Sequence, residues 1–344
     1  MDEGNQSLRM PNVSVIVPCY NEERTIGDLL AGLYSQSYPL SDFEVVISDG
    51  ISEDKTREVI RSFSENHQEL AIRVIDNIKQ NIPSAINAGI KAARGSVIVR
   101  LDAHSTPASD YLSLCVEALN AGIADNVGGM WEIKPGGEGT IARSIAVAAS
   151  HPLGVGDARY RYSDRSAFVD TVPFGSFYKS LVDKIGYFDE SLLTNEDYEF
   201  NTRIRKAGGK IWFDPKIRST YYARPSLSEL AKQYWRYGYW KARMLRSYPG
   251  TLRWRQLLPP LFLVSLFITA ALSLVSNYAL IVLVAQLSIY VSLLLIVGLY
   301  QAVKHRLPGM GYGVPVSIAT MHFSWGSAFL WSVVKMLTGS GNHA

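Results

Sequence analysis

Cysteine is scarce: the 344 residues hold two, Cys19 and Cys115. Two thiols build no disulfide framework and, by themselves, no zinc site. Acidic residues are missing from the whole C-terminal stretch. Between Gln256 and Ala344 there is no Asp or Glu, and the only basic residues are Lys304, Arg306 and Lys335. No Gly-x-Gly-x-x-Gly follows the first strand-like run, which disfavours the usual dinucleotide fold, and no Gly-x-x-x-x-Gly-Lys-Ser/Thr occurs, which excludes a P-loop. The opening segment, Met1–Pro11, carries acids and no apolar run, so no secretory signal peptide is expected. Asn5-Gln-Ser and Asn12-Val-Ser match glycosylation acceptors, but without such a signal they are expected to stay unmodified. Proline and glycine are at ordinary levels, which excludes collagen-like and low-complexity chains.

What is present falls into two parts. Of 34 basic residues, all but those three lie in residues 1–255, where they balance the 31 acids. A neutral globular region of this kind is no nucleic-acid binder. Gln256 to Val303 then runs 48 residues without a charge. One span needs about 20 apolar residues, so this run suits two helices, Leu257–Ser276 and Tyr278–Val303, turning at Ser276-Asn277. A weaker uncharged stretch suggests a third at Val314–Val334, which either spans or lies in the interface. Arg224–Arg255 holds eight basic residues against Glu229 alone, and Lys304-His305-Arg306 is basic too. The positive-inside rule puts both on the cytoplasmic side. The expectation is a multi-pass protein of the cytoplasmic membrane, its globular domain facing the cytoplasm and Leu337–Ala344 outside. The division read from the sequence is a catalytic domain over residues 1–223, a basic, aromatic juxtamembrane segment over 224–255, and a membrane domain over 256–344.

The globular part alternates. Strand-like runs at Val13–Val17, Phe43–Ser48, Ile72–Ile75 and Ser96–Leu101 are separated by helical spacing over Glu22–Ser35, Asp54–Phe63 (capped near Ser52) and Ile82–Ala93. This pattern predicts an α/β fold with a parallel sheet and crossover helices. Ligands in such sheets bind beyond the carboxyl ends of the strands. The residues there are Tyr20-Asn21-Glu22, Asp49-Gly50 and Asp102-Ala103-His104. Asp102 and His104 are either a pair of donors for Mn²⁺ or Mg²⁺, completed by a diphosphate, or a helix cap. Asn195-Glu196-Asp197-Tyr198-Glu199 opens a helix with Asn195 as its N-cap. Acids suit the dipole there, and the dipole is expected to keep Asp197 ionised, which suits a general base. Gln233 to Lys241 mixes aromatics with cations. It reads both as an interfacial anchor and as a place where Arg236 and Lys241 meet a lipid phosphate or a donor diphosphate.

These residues together resemble a known family. Val15-Ile-Val-Pro18-Cys-Tyr20-Asn21-Glu22-Glu23, Asp49-Gly50, Asn87-Ala-Gly89 before Ala93-Arg-Gly95, Asp102-Ala-His104 and Glu196-Asp197 occur in order over Asn12–Tyr222. The set resembles a family 2 glycosyltransferase with the GT-A fold. The Asp-Ala-His form, Phe174-Gly-Ser and the Gln233-x-x-Arg236-Tyr-Gly end look most similar to the succinoglycan-assembly membrane glucosyltransferases. The resemblance implies that Pro18, Tyr20, Glu22, Asp49 and Asp102 bind the nucleotide, with Asp49 on a uracil. It implies that Asp102 holds a divalent metal, Mn²⁺ or Mg²⁺, with His104 where the metal motif usually has its last Asp. Asp197 matches the catalytic base, with Glu196 beside it. Gln233 and Arg236 match an acceptor-side or diphosphate motif in which Tyr237 replaces a Trp. That replacement, with two or three spans, argues against a processive synthase. The implied activity is inverting transfer from a UDP-sugar, such as UDP-glucose, to a polyprenyl-diphosphate-linked glycan. Two alternatives stand: loading of one sugar on a polyprenyl phosphate, and a non-catalytic nucleotide-sugar-binding membrane subunit. Sugar, acceptor, linkage and oligomeric state are not legible in the sequence.

Overall fold

A computed structural model describes residues 12–338. Met1–Pro11 with the Asn5 acceptor, and the tail beyond Thr338, lie outside the described residues. The chain divides into two compact units. One holds the described residues up to Glu132 together with Ser163–Tyr221; the other holds Ile133–Tyr162 and the chain from Tyr222 onward.

The first unit begins with β1 (Val13–Cys19), α1 (Ile26–Tyr34), β2 (Phe43–Asp49), α2 (Thr56–Asn66), β3 (Ala71–Asp76), α3 (Ile82–Ala92) and β4 (Val97–Arg100). β3, β2, β1 and β4 lie side by side, all parallel. β1 and β2 are buried along their whole length, as Val/Ile-rich strands covered on both faces are, and the polar Ser14 and Glu44 inside them bond each other at 2.7 Å. Cys19 pairs with Asp49, and Asp49 with Asp76, so the polar strand ends share one edge. α1 starts four residues later than its spacing suggests, because Asn21–Glu23 are occupied by loop hydrogen bonds. Ser52 does not cap α2, whose N-cap position is Lys55. Asn81 does cap α3, its Oδ1 accepting from the Ser84 N–H at 3.0 Å.

The chain continues with β5 (Ser105–Pro107), α4 (Tyr111–Asn120), β6 (Asn126–Lys134), α5 (Thr140–Ala149), α6 (Pro152–Val155), β7 (Ala167–Phe168), β8 (Ser176–Tyr178), α7 (Leu181–Ile185), α8 (Glu196–Lys206) and β9 (Ile211–Tyr222). These strands extend the sheet beyond β4 in the order β8-β6-β9-β5, with β7 on β9. β8 runs antiparallel to β4 and β6, and β5 and β7 run antiparallel to β9. The parallel half matches the alternation in the sequence. The antiparallel half combines the two- and three-residue strands β5, β7 and β8 with the longer β6 and β9, whose apolar runs are broken by Gly128-Gly129 and Asp214-Pro215.

The second unit is helical: α9 (Leu227–Ser247), α10 (Trp254–Ser273), α11 (Asn277–Lys304) and α12 (Met310–Leu337), with α5 and α6. α10, with 20 residues, and α11, with 28, are long and apolar enough to cross a membrane, the two such helices among the described residues. At 1.5 Å per residue they reach about 30 Å and 42 Å. The third segment is a 28-residue helix, and its role is different. Val314, Ile318 and Met321 of α12 pack with Ile145 and Ala148 of α5 and with Leu230 and Tyr234 of α9. α12 is the core of this unit. The division at Tyr222 lies beside the expected boundary at 223, but Ile133–Tyr162 joins the helical unit, which a contiguous first domain does not foresee.

Candidate active site

The loops after β1 and β2 are laced together. Asn21, in the left-handed region at φ 54°, accepts from the Glu53 N–H at 2.9 Å on its Oδ1, and its own N–H donates to Ser52 Oγ at 2.9 Å. The Glu22 N–H donates to Thr56 Oγ1 at 2.7 Å. Pro18 is buried within β1, while Tyr20 stands exposed over Gly50. A Cβ at Gly50 would lie 3.0 Å from that ring, so a side chain there would crowd Tyr20. Asp49 is fully buried. Its carboxylate accepts from the Ser52 N–H and Oγ, at 3.0 and 2.5 Å, and from Arg57 Nε at 2.5 Å, while Arg57 Nη2 reaches Asp76. In this conformation Asp49 organises the loop and holds Arg57, and it exposes no surface to a base.

β4 delivers the next group. Asp102 follows it in a tight turn in which the Ser105 N–H and Oγ both donate to the Asp102 carbonyl, at 2.9 and 2.7 Å. The next helix, α4, starts at Tyr111 with Asp110 before it, so the helix-cap reading of Asp102-Ala103-His104 falls. His104 Nδ1 lies 3.1 Å from Glu22 Oε1, which joins the ends of β1 and β4.

α8 supplies Glu196 and Asp197. Much of the surrounding run is anchoring. Asn201 donates to Thr171 Oγ1 and the Val172 carbonyl and accepts from Asn126, and Tyr198 donates to Asp170. Arg203 grips Glu199 and the carbonyls of Ile185, Gly186 and Tyr187. Asn195 occupies the N-cap position, but its backbone is left-handed (φ 71°) and its side chain caps nothing. That corrects the expected cap.

One residue that the sequence reading passed over joins these elements. Arg100 closes β4 with only 3% of its surface exposed. Its Nη2 donates to Asp102 Oδ1 and Glu196 Oε1, each at 3.0 Å, and its Nη1 bonds Asp197 Oδ1. Burial lowers the Arg100 pKa, but the three carboxylates outweigh it and the net shift is upward. A lone cation in the apolar run Val97–Leu101 was the available signal, since a buried charge needs partners. Asp197 keeps a quarter of its side chain exposed. Burial pushes its carboxyl up to about 7; Arg100 opposes this, and Glu196 and Asp102 add to it. The helix start therefore does not keep Asp197 as ionised as expected. Both cysteines are buried, and burial pushes their thiols up, so neither is a nucleophile.

Among the described residues, no three His, Cys, Asp or Glu are grouped to hold a metal. Asp102 and His104 still fit one as a pair. A histidine whose one ring nitrogen faces a carboxylate, as Nδ1 faces Glu22, presents Nε2 as the coordinating atom. Two protein donors leave the remaining places to diphosphate oxygens and water, which suits Mg²⁺ or Mn²⁺.

Gln233, Arg236 and Lys241 belong to the helical unit. Gln233 Nε2 donates to the Tyr237 hydroxyl at 3.1 Å, and Arg236 is exposed. Lys241 is turned inward, 1% exposed, and Nζ donates to the Thr251 carbonyl at 3.0 Å. It ties α9 to the turn before α10 and does not present its charge to a phosphate, contrary to the expectation from its basic neighbours.

Residues 14–186 match the family described as glycosyl transferase family 2. The chain belongs to that family. The transferase is 30% identical over 330 residues to the dolichyl N-acetyl-alpha-D-glucosaminyl phosphate 3-beta-D-2,3-diacetamido-2,3-dideoxy-beta-D-glucuronosyltransferase of Methanococcus voltae, covering 94% of this chain and 97% of that one. It is 30% identical over 322 residues to the succinoglycan biosynthesis protein ExoA of Rhizobium meliloti, covering 92% and 93%. In fold it is similar to the mannosyltransferase PcManGT of Pyrobaculum calidifontis, solved with GDP-Man and Mn²⁺, at a TM-score of 0.63 and 20% identity over 91% of this chain and 87% of that one. The transferase therefore has a GT-A-like α/β fold followed by apolar helices.

Proposed function

We propose that this enzyme transfers a hexose, with inversion, from a UDP-sugar such as UDP-glucose to a polyprenyl-diphosphate-linked glycan, in the synthesis of an exopolysaccharide or cell-surface glycan. The observation that carries the proposal is the buried cluster at the ends of β4 and α8, where a part-exposed carboxylate with a raised pKa stands beside the strand-end acid Asp102. Asp197 takes the proton from an acceptor hydroxyl at its carboxylate oxygen. The acceptor oxygen bonds to the anomeric carbon as that carbon's bond to the diphosphate breaks, and UDP leaves. Asp102 and His104 would hold the divalent ion, which when bound supplies positive charge for the departing diphosphate. Glu22 orients His104. Tyr20, Pro18 and Asp49 shape the nucleoside end, with Arg57 and Ser52 held by Asp49.

On this reading α10 and α11 are the membrane spans, and the basic charge before α10 and after α11 puts the reaction on the cytoplasmic side. Arg236 is among the exposed cations of α9, with Lys232 and Arg246, and is the one proposed to meet an acceptor phosphate. The Methanococcus voltae relative is named for an acceptor already carrying a sugar on a lipid phosphate, which favours a sugar-primed lipid over bare polyprenyl phosphate. The test is nucleotide release from UDP-, GDP- and dTDP-hexoses in native lipid with Mn²⁺, followed by product analysis. Release from a UDP-hexose with a sugar-primed polyprenyl diphosphate is expected. A product on bare polyprenyl phosphate would move the reading to the lipid-loading enzyme.

A further inference from the structure

We infer that Arg100 is a positioning residue of the transfer reaction, one guanidinium that sets the donor-side acid and the base in register; this rests on the assignment of Asp197 as the base. Asp102 and Asp197 are 95 positions apart in the chain and come from different elements, a strand end and a helix start. Among the described residues Arg100 alone bonds both, and it bonds Glu196 as well.

Its own placement is rigid. β4 lies between β1 and β8, and the Arg100 N–H donates to the Gly175 carbonyl at 3.1 Å. The guanidinium lies over the Phe174 ring, 5.8 Å from its centroid, and Phe174 is itself held in the left-handed region at φ 50°. Arg100 is too buried to meet a substrate. Nε is buried without a hydrogen-bond partner, so the carboxylates aim the group from its far end.

The arrangement has a chemical consequence. The planar fork of a guanidinium can hold carboxylates on both terminal nitrogens at once, which an ammonium cannot do in the same geometry. Three carboxylates face one cation, so the cluster stays electron-rich where donor phosphates and their counter-ion arrive. Asp102 would share its carboxylate between Arg100 Nη2 and a bound divalent ion, and Glu196 and Asp197 would keep the guanidinium in place while it did so.

The test compares Arg100→Lys and Arg100→Gln with Asp197→Asn in the full-length enzyme in lipid. UDP affinity with Mn²⁺ is read by calorimetry, and kcat and KM are read separately. The expected result is a fall in kcat of about 100-fold, the size of effect that misplacing a reacting group produces, with UDP affinity and donor KM within about threefold of wild type. Arg100→Lys should not restore kcat, although it keeps the charge. A purely structural role would lower stability and leave kcat per folded enzyme unchanged. Wild-type kcat in either variant, with Asp197→Asn inactive, overturns the inference and leaves the base assignment standing. Loss of folding in both variants also overturns it, since Arg100 would then be a structural counter-ion only. Full activity in Asp197→Asn overturns the base assignment itself.

Discussion

A carboxylate that removes a proton from a hydroxyl must be reachable and must hold a proton well enough to take it. Asp197 meets both conditions: a quarter of it is exposed, and burial carries its pKa to about 7. The sign follows directly. Below that pH the raised pKa keeps the carboxyl protonated and unable to act as a base. We therefore predict that kcat/KM rises with pH and levels off above about 7. A limb near the ordinary aspartate range, about 4, would contradict a buried base. Asp102 and His104 stand out in the sequence because they follow an apolar strand, and Glu196 and Asp197 because they open a helix; their roles are the proposed ones. Arg100 does not, because the cost of burying a charge becomes visible only when its partners are known, and those partners lie up to 97 positions away. Lys241 erred in the other direction: a lysine among arginines and aromatics reads as surface charge, yet its ammonium is spent on a backbone carbonyl.

At the level of elements, the parallel strands were legible because each is an apolar β-branched run followed by helical spacing. Their boundaries shifted where side chains compete with the helix, as at Asn21–Glu23, whose hydrogen bonds to the Ser52–Thr56 loop delay α1. The antiparallel strands escaped for two reasons: β7 and β8, of two and three residues, carry no periodicity, and the longer β6 and β9 are interrupted by Gly128-Gly129 and Asp214-Pro215. In the helical unit, glycines set the distances between helices. A Cβ at Gly238 of α9 would lie 2.4 Å from the Trp325 carbonyl oxygen of α12, and one at Gly313 of α12 would lie 2.3 Å from Ser144 Oγ of α5. The glycines that weaken α12 as a membrane span are thus what lets it pack closely with its neighbours. Gly238→Ala must push backbone from backbone, and we expect it to destabilise the helical unit by about 1–3 kcal/mol. Thermal unfolding in detergent should show a lower midpoint, with UDP affinity unchanged. An unchanged midpoint would mean that the helices do not meet there.

Across the whole molecule, the change in charge falls at Gln256, whereas the compact helical unit takes in Ile133–Tyr162 and the chain from Tyr222 onward. Ile133–Tyr162 leaves the catalytic unit because α5 is needed to cover α12. That segment is apolar at helical spacing, as the first unit's helices also are, so composition alone could not assign it. The enzyme combines a unit that carries the candidate site with two helices long and apolar enough to cross a membrane, and the proposed reaction turns on one carboxylate, Asp197. The most direct measurement uses the intact Asp197→Asn enzyme in native lipid, reading Mn²⁺-dependent UDP binding and sugar transfer side by side. If Asp197 is the base, UDP affinity stays close to wild type and transfer is abolished; undiminished transfer would rule Asp197 out.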